Sequence, residues 1–545
     1  MRTIERIREY RRSHGTAYTV RRLGQKAAQL LLGTYDRRWK RERASEEELR
    51  RQRENQPDAG LLSVVVPVYN TDPGMLSALL SCLKAQTYDR FEAVLYDGAS
   101  TRAETREVLR EAEKAEKRFR VIRGEENRGI SDNTNEAVKL ARGGYAVLCD
   151  HDDLVSPDAL WRFADVIARK HPDVIYSDED RVTENGRRHM DPHYKPDYCP
   201  DNLVSDNYIC HMAAIRRDLL EETGLRSGFD GSQDHDLFLR LAEKTDKIEH
   251  IPYVLYSWRE VFSSKSHLDL YTCLENGCRA AVEHEGRLGR KAEAVPVNKE
   301  IRLWYDIPRE ARVEAIVHGN SEEACRECLG ELQFRTDWPH LTGSIVVAGE
   351  RERIPLINEA AGTSRADYLL ILDAGVTDMN RYFIREMLMF AQRDDVAGVT
   401  GALTDRKQRI THGGFALGME NTAQCVNEGM FVTAGGWHDM MNKAHNVSAV
   451  SLCCLMVKKR NWKDLDEGFR GGLAAVDLGL ERRKDRMWFV FTPHARARLD
   501  PCPLLLSGKD RDPEDLARLE KKWGTDLRDP CYSSRFSRKK ANYHY

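Results

Sequence analysis

Residues Leu62–Tyr69 read LSVVVPVY, an unbroken run of mostly β-branched residues. Runs of this length and composition are typical of a strand buried on both faces of a parallel sheet. Asp72 and Pro73 follow, a pair that favours the start of a helix, and leucines then recur at helical spacing from Leu76 to Leu83. The segment therefore predicts a buried strand that leads into an amphipathic helix.

The alternation of strand and helix continues along the next eighty residues. Strand-like segments at Phe91–Tyr96, Phe119–Ile122 and Tyr145–Cys149 are separated by a charged helix and by a helix around Asn135–Ala141. Alternating strands and helices predict an α/β fold, a doubly wound parallel sheet with right-handed crossovers.

Length and composition limit the class of protein. The chain has 545 residues, enough for more than one domain, and its 41% apolar content excludes a wholly disordered protein. No apolar run reaches the roughly 18 residues of a membrane-spanning helix. Charges occupy the N-terminus where a secretory signal would be apolar, and the 13 cysteines lack the paired spacing of a disulfide framework. These features predict a cytoplasmic protein.

The net charge of −2 conceals a basic N-terminal segment. Residues 1–53 hold 16 Lys and Arg against 7 Asp and Glu, a balance of +9, and apolar residues from Val20 to Leu31 recur at helical spacing. The segment is interpreted either as a helix packed on its own protein or as an interfacial helix on an anionic membrane surface. Nucleic-acid binding is disfavoured because no binding module follows, so we expect no nucleic-acid partner.

Polar residues stand where the predicted strands end. Asn70 follows the first strand, Asp97 the second, and Asp150-His151-Asp152-Asp153 the fourth. Open α/β sheets bind ligands at the carboxyl ends of their strands. The absence of G-x-G-x-x-G and Walker A motifs excludes the usual dinucleotide-binding and NTPase classes. The acids predict a Mg²⁺ or Mn²⁺ site that binds a polyphosphate through the cation; a solvated acidic turn is the alternative.

Nine short motifs, taken in order, resemble glycosyltransferase family 2. They are VPVYN, YDGAST, NRGIS, LCDHDDL, IYSDED, YKPD, DNYI, GSQDHDL and VLYSWR. Their order and spacing are similar to those of the bacterial branch that builds O-antigens, rhamnose-containing polymers and other surface polysaccharides. The resemblance implies a GT-A fold and an inverting hexosyl or rhamnosyl transfer from a nucleotide-diphospho-sugar donor.

The resemblance also implies roles for individual residues. Asp97 would contact the nucleoside base, Asp150 and Asp152 would form the metal pair, with Asp152 the direct ligand, and Asp234 would be the catalytic base. The implied donor-binding residues are Pro67, Tyr69, Asn70, Asp97, Asn127, Asp150, Trp258 and Arg259. The implied acceptor-side residues are Asp178, Lys195 and Gln233.

The chemistry of glycosyl transfer requires the same two kinds of acid. A bound cation stabilises the departing diphosphate, and a carboxylate on the opposite face takes the proton of the acceptor hydroxyl. His151 and His235 stand beside these acids and are further candidates for a ligand or proton role. Two positions depart from the family pattern: Gly98 replaces a second acid, and Ser257 replaces a frequent histidine before Trp258-Arg259.

The region from Val313 resembles the first domain again. Asn135-Glu136-Ala137 lies 15 residues before Asp150, and Asn358-Glu359-Ala360 lies 15 residues before Asp373, so the chain contains an internal repeat. In this second copy, Gly375 stands at the position of Asp152 and Ala475 at that of Asp234. It is interpreted as a degenerate transferase domain that binds the acceptor glycan or serves only as a scaffold.

We therefore predict four segments: a basic helical extension (1–58), a catalytic GT-A domain (59–295), a degenerate GT-A-like domain (296–500) and a C-terminal tail (501–545). The predicted activity is metal-dependent, inverting transfer onto a glycan or lipid-linked glycan acceptor, peripheral on the cytoplasmic face of the plasma membrane. One alternative is a non-catalytic sugar- or nucleotide-binding assembly factor. A nucleotidyltransferase is disfavoured because VPVYNTDPG lacks a Gly-rich basic loop.

Overall fold

The computed structural model describes residues 34–260, 270–297, 300–420, 422–499 and 512–545. The predicted helix around Val20–Leu31 lies outside the described residues. Within them the chain divides into two compact units. The first runs to Tyr198 and adds Asp206–Gly289 and Ala294–Ile301; the second comprises Cys199–Ser205, Arg290–Glu293 and Arg302–Tyr545. The predicted boundary at 295/296 falls in a stretch whose residues are divided between the units.

The helices of the described residues follow the sequence periodicity. They are α1 Thr34–Glu42, α2 Glu46–Glu54, α3 Pro73–Lys84, α4 Ala103–Ala115, α5 Ile130–Lys139, α6 Ala159–Lys170, α7 Pro200–Ser205, α8 Arg217–Thr223, α9 Gln233–Ala242, α10 Leu270–Arg287, α11 Glu322–Arg335, α12 Glu350–Thr363, α13 Phe383–Ala391, α14 Leu473–Lys484 and α15 Pro513–Trp523. Helix α3 begins as predicted: the Asp72 carboxylate accepts from the N–H groups of Gly74 and Met75, and Pro73 occupies the first turn. No helix of these residues is long and apolar enough to cross a membrane.

The first unit is built on a nine-stranded sheet. Its strands are β1 Leu62–Val68, β2 Phe91–Asp97, β3 Phe119–Arg123, β4 Tyr145–Leu148, β5 Leu154–Val155, β6 Val174–Thr183, β7 His189–His193, β8 Ala213–Arg216 and β9 Ile248–Glu260. Their order is β3-β2-β1-β4-β8-β6-β9-β5, with β7 beside β6. Strands β1 to β4 are parallel, as predicted, but β8 runs antiparallel to both β4 and β6, so the sheet is mixed.

The second unit repeats this sheet. A hairpin of β10 Ala292–Val297 and β11 Glu300–Tyr305 precedes it in the chain. Its further strands are β12 Val313–Gly319, β13 Leu341–Val347, β14 Tyr368–Asp373, β15 Val376–Thr377, β16 Val396–Thr404, β17 Ile410–His412, β18 Phe415–Met419, β19 Thr422–Cys425, β20 His445–Val447, β21 Cys454–Lys458 and β22 Trp488–Leu499. The order β13-β12-β14-β21-β16-β22-β15 matches β2-β1-β4-β8-β6-β9-β5 strand for strand. This correspondence confirms the predicted pair of related α/β folds.

The described part of the N-terminal segment packs on the first unit. The Trp39 ring stacks on that of His189 with centroids 3.5 Å apart, and the Tyr35 hydroxyl donates to Asp180 over 2.8 Å. In α2, Gln52 is buried and accepts from the Thr87 hydroxyl at 2.8 Å. For these residues, packing on the same protein is therefore what the structure shows.

Helix α7 belongs to the second unit because of a buried ion pair. The Asp201 carboxylate contacts the Arg393 guanidinium, with 3.2 Å between Oδ2 and Nη2, and accepts from Asn446 Nδ2 over 2.7 Å. All three side chains are almost fully buried. A buried charge is costly unless it is paired, so this contact fixes the segment.

Replacing Asp201 with Asn should therefore destabilise the second unit. Removal of one partner from a buried ion pair costs about 3–5 kcal/mol, and we expect about 2–3 kcal/mol because Asp395 Oδ2 still lies 2.8 Å from Arg393. Denaturant unfolding measures the loss. The exposed acid Asp394 pairs with Lys458 on the surface, so Asp394→Asn should cost less than about 1 kcal/mol. Equal losses in the two variants would contradict the assignment.

Candidate functional site

Three neighbouring parallel strands bring the predicted acids to one edge of the first sheet. Strand β1 pairs with β2 on one side, Val68 opposite Asp97, and with β4 on the other. Their carboxyl ends therefore present Asn70, Asp97 and Asp150 along one edge, the usual ligand edge of an open α/β sheet. Pro67 is buried within β1, whereas Tyr69 is 41% exposed just beyond its end.

At the β1–β2 end, two predicted donor-binding residues shape a loop. The Asn70 side-chain oxygen accepts from the backbone N–H groups of Thr101 and Arg102, both at 2.8 Å. Asp97 is 2% exposed, and its carboxylate accepts from the Ser100 N–H over 2.8 Å. These contacts fix the wall of the strand-end groove.

An asparagine occupies the space beside Gly98, where the family pattern has a second acid. A Cβ atom at Gly98 would lie 2.5 Å from Nδ2 of Asn133. That amide donates to the Asn127 side-chain oxygen over 2.9 Å. A side chain at position 98 would therefore collide with Asn133, and Asn127 is partly engaged by an internal contact.

The acidic loop after β4 is held by the strand that carries the Trp-Arg motif. Asp153 is buried and accepts from the Tyr256 hydroxyl and the Arg259 N–H, both at 2.7 Å. Arg259 also donates from Nε to the Asp152 carbonyl over 2.6 Å and from Nη1 to the Glu184 carbonyl over 2.7 Å. In this structure, Arg259 thus orients the acidic loop.

The loop presents two carboxylates that fit a divalent cation. The Asp150 and Asp152 side chains are 25% and 31% exposed, so their oxygens are accessible. Burial, followed by the charge of Asp150, raises the pKa of Asp152, and a bound cation would relieve this cost. Two carboxylates with room for phosphate oxygens are the donor set that Mg²⁺ and Mn²⁺ prefer.

His211 lies between the metal pair and the predicted base. Its Nε2 is 3.3 Å from Asp150 Oδ2 and 3.7 Å from Asp234 Oδ2. Burial lowers its pKa, but the charge of Asp150 and then that of Asp234 outweigh this and raise the pKa of His211 to about 10. The ring is therefore an imidazolium that joins two carboxylates.

Asp234 has the properties of a base poised near neutral pH. It lies in the first turn of α9, with its side chain 14% exposed. Burial, followed by the charge of Asp150, raises its pKa to about 6 against the opposing effect of His211. The structure thus brings Asp234 and Asp150 to one imidazole, although 84 residues of sequence separate them.

A second group of candidate metal ligands includes a thiol. Within the described residues, ligand atoms of Cys210, His211 and Asp234 lie within 4.8 Å of one another. Burial raises the pKa of the Cys210 thiol well above its usual range, so it is protonated at neutral pH. Mg²⁺ and Mn²⁺ prefer carboxylate oxygens to sulfur, so the Asp150 and Asp152 pair fits such a cation better than this group.

The predicted acceptor-side residues are more deeply buried than that role requires. Asp178 and Lys195 are both 0% exposed. Asp178 Oδ1 contacts His250 Nε2 at 2.9 Å, and Lys195 Nζ donates to the carbonyls of Ile209 and His211 at 2.7 and 2.8 Å. Gln233 is 8% exposed and accepts from the Gly231 N–H. Asp178 and Lys195 therefore support the site from beneath in this structure, and their acceptor-side role stays a prediction.

The two histidine candidates of the sequence analysis, His151 and His235, lie in different surroundings. His151 lies beside the metal pair, with Nδ1 3.8 Å from Asp152 Oδ1. His235 is only 3% exposed and faces α10, where a Cβ atom at Gly277 would lie 3.5 Å from its Nδ1. Ser257 stands where the family often has a histidine, and its Oγ lies 3.3 Å from Nδ1 of His189. His189 is buried.

The second unit keeps the architecture of this edge without its chemistry. Asp373 ends β14 as Asp150 follows β4, but its Oδ1 accepts from the Gly375 N–H over 2.8 Å. Gly375 and Ala475 have no side chain that could bind a cation or take a proton. The one remaining acid thus stabilises its own loop.

Comparisons with known proteins agree with this geometry. Residues 63–224 match the family model "Glycosyl transferase family 2". The chain is 32% identical to uncharacterized protein y4gI of Sinorhizobium fredii over 89% of its length, and 30% identical to the O-antigen biosynthesis protein RfbC of Myxococcus xanthus over 80%. It spans 58% and 37% of the lengths of these relatives.

Solved structures that match include TarS of Staphylococcus aureus with UDP-GlcNAc (20% identity, TM-score 0.35, covering 41% of this chain and 66% of that one). The mannosyltransferase PcManGT of Pyrobaculum calidifontis with GDP-Man and Mn²⁺ also matches (21% identity, TM-score 0.33, 52% and 77%). On the family match and the strand-end acids within it, residues 63–224 form a glycosyltransferase family 2 domain.

Proposed function

We propose that the first unit is a metal-dependent, inverting glycosyltransferase that moves a sugar from a nucleotide-diphospho-sugar to a hydroxyl of a growing cell-surface polysaccharide. The observation that carries the proposal is the convergence of Asp150, Asp152 and Asp234 at one strand-end groove. The relative RfbC is an O-antigen biosynthesis protein, which supports a polysaccharide acceptor; we propose that this acceptor is lipid-linked.

Each residue of the groove has a task in a single displacement at the anomeric carbon. Asp150 and Asp152 would hold the cation, which supplies Lewis-acid stabilisation of the departing diphosphate. The loop fixed by Asn70 and Asp97 would bind the nucleoside. Asp234 would take the proton of the acceptor hydroxyl on the face opposite the leaving group, which inverts the configuration of the sugar.

The pH dependence of transfer follows from the environment of Asp234. The base acts only when ionised, and burial raises its pKa to about 6 in the cation-free site, so kcat/KM measured at subsaturating cation should fall about tenfold per pH unit below pH 6. The positive charge of a bound cation lowers this pKa, so the limb of kcat at saturating cation and donor should lie at lower pH. Diphosphate release between pH 4.5 and 8 measures both profiles. Constant kcat/KM from pH 7 to pH 5 would contradict the role of Asp234.

A screen of nucleotide-sugars tests the function itself. The full chain with Mn²⁺ and a glycan acceptor should release nucleoside diphosphate from at least one donor. Nucleotide binding without turnover across the donor panel would instead favour the alternative, a non-catalytic assembly factor. Release of pyrophosphate would indicate a nucleotidyltransferase.

We further propose the peripheral location and the role of the second unit. Residues 1–53 would contact anionic lipid at the cytoplasmic face through their basic side chains. If so, deleting residues 1–33 should abolish the salt-sensitive co-sedimentation of the protein with anionic vesicles. Unchanged binding would reject the proposal. The second unit would bind the acceptor glycan or serve as a scaffold, since its sheet is intact while Gly375 and Ala475 replace the second metal ligand and the base.

A further inference from the structure

Within the part of the chain that the structure describes, His211 contacts both Asp150 of the metal pair and the predicted base Asp234. It lies on the segment before β8 and is 4% exposed. It is part of none of the nine motifs. We infer that His211 is a positioning residue, an inference that rests on the proposed function. Its imidazole ring holds the carboxylates of Asp150 and Asp234 in place and so couples the cation site to the base.

The backbone geometry places the ring beside Asp150. Strands β4 and β8 are antiparallel, with Leu148 opposite Ala213. Extension of this register by two residues puts His211 opposite Asp150, which agrees with the 3.3 Å contact. The histidine therefore reaches the acid from the neighbouring strand, and the sheet itself defines their separation.

Buried neighbours immobilise the imidazole. The His211 carbonyl accepts from Lys195 Nζ over 2.8 Å, and this lysine is fully buried. The ring lies against the rings of Tyr256 and Trp258, with centroid distances of 5.3 and 5.2 Å. The backbone is thus anchored by Lys195 and the ring is packed against two aromatic side chains, which restricts the positions that the imidazole can take.

The second unit provides an internal comparison. Its strand β21 pairs with β14 as β8 pairs with β4, and the Asp373 N–H donates to the Cys453 carbonyl over 3.0 Å. Cys453 therefore stands at the position of His211. The copy that lost Asp152 and Asp234 also lost the histidine, although the strand pairing is intact. A residue needed only for the fold would persist with the fold, so His211 belongs with the chemistry.

Removal of the ring should loosen both carboxylates. In His211→Ala, Asp150 loses a contact at 3.3 Å and Asp234 loses an ion-pair contact at 3.7 Å, so the two carboxylates repel each other across the gap. Displacement of a catalytic group by about 1 Å costs about 100-fold in rate, and loss of a partner of a metal ligand costs about 10- to 100-fold in metal affinity or activity. A glutamine amide carries two N–H donors, so His211→Gln can still bridge both acids.

The test compares the full-length wild type, His211→Ala, His211→Gln and the control His284→Gln, a buried histidine 2.6 Å from Glu243 and away from the groove. Steady-state diphosphate release gives kcat and the donor KM. The paramagnetic resonance signal of free Mn²⁺ gives the Mn²⁺ affinity without turnover, and thermal unfolding reports the fold.

We expect His211→Ala to lower kcat about 10- to 100-fold and to weaken Mn²⁺ binding about tenfold, with the donor KM within about twofold. His211→Gln should recover both to within about fivefold, and His284→Gln should match the wild type. Unchanged kcat and Mn²⁺ affinity in His211→Ala would overturn the inference, as would a His211→Gln variant as impaired as His211→Ala. If the wild type shows no turnover with any donor, the proposed function fails, while the Mn²⁺ affinities still decide the coupling.

Discussion

Asp234→Asn is expected to reduce kcat about a thousandfold while the donor and Mn²⁺ still bind. The amide has the shape of the carboxylate and keeps an oxygen facing His211, whose Nε2 lies 3.7 Å from Asp234 in the wild type. It cannot accept a proton at neutral pH, and a positioned general base contributes about 10²- to 10⁴-fold to a rate. The loss should therefore appear in kcat and not in the donor KM, which depends on the Asn70 and Asp97 loop.

A second acid on the same helix provides the matched comparison. Asp236 is 0% exposed, and its carboxylate accepts from Arg226 Nε at 3.0 Å and from Arg240 at 2.7 Å, away from Asp234 and its partner His211. Asp236→Asn should lower the unfolding temperature and leave kcat of the folded fraction within about threefold. Diphosphate release combined with thermal unfolding separates the two effects. Retention of turnover in Asp234→Asn would remove Asp234 from the mechanism.

The position of the acids at the strand ends could be predicted because it depends on short, local stretches of sequence. A buried run such as Leu62–Tyr69 marks a parallel strand, and the polar residue after each run must then lie at the common edge. The internal repeat could be predicted in the same way, because the 15-residue spacing before Asp150 and Asp373 is a property of one helix–strand unit. The matching strand orders of the two sheets confirm that interpretation.

His211 could not be found in this way, because its role depends on a long-range antiparallel pairing. Strand β8 reads as any short apolar segment, and nothing near it shows that it inserts beside β4 about sixty residues earlier in the chain. The membership of helix α7 in the second unit could not be predicted for a similar reason. Asp201 is an ordinary acid in sequence, and only the fold brings it to Arg393, 192 residues away.

The burial of Asp178 and Lys195 could not be predicted from their motifs. Motif matching identified both as functional, and charged residues in a motif are easily assigned to ligand contacts. Lys195 instead donates to the backbone beneath His211, and Asp178 contacts His250. Such residues act on the groove through the residues they support, a distinction that spacing alone does not reveal.

Asp152→Asn and Asp373→Asn should separate the roles of the two units. The Asp152 carboxylate is 31% exposed beside Asp150, so its loss removes a cation ligand; we expect Mn²⁺ affinity to fall at least about tenfold and turnover at least about 100-fold. Excess Mn²⁺ should restore part of this loss, whereas it should restore none in Asp234→Asn, because a proton acceptor is missing there. Chelation of the cation should abolish wild-type turnover.

Asp373→Asn is the matched change in the second unit, and its expected effect is on stability alone. The Asp373 carboxylate accepts from the Gly375 N–H at 2.8 Å, and loss of this charge-assisted hydrogen bond costs about 1–2 kcal/mol. Turnover and Mn²⁺ affinity should stay within about twofold of the wild type, since Gly375 and Ala475 leave Asp373 without a second ligand or a base. A loss of turnover in Asp373→Asn comparable to that in Asp152→Asn, with the fold intact, would show that the second unit takes part in the chemistry.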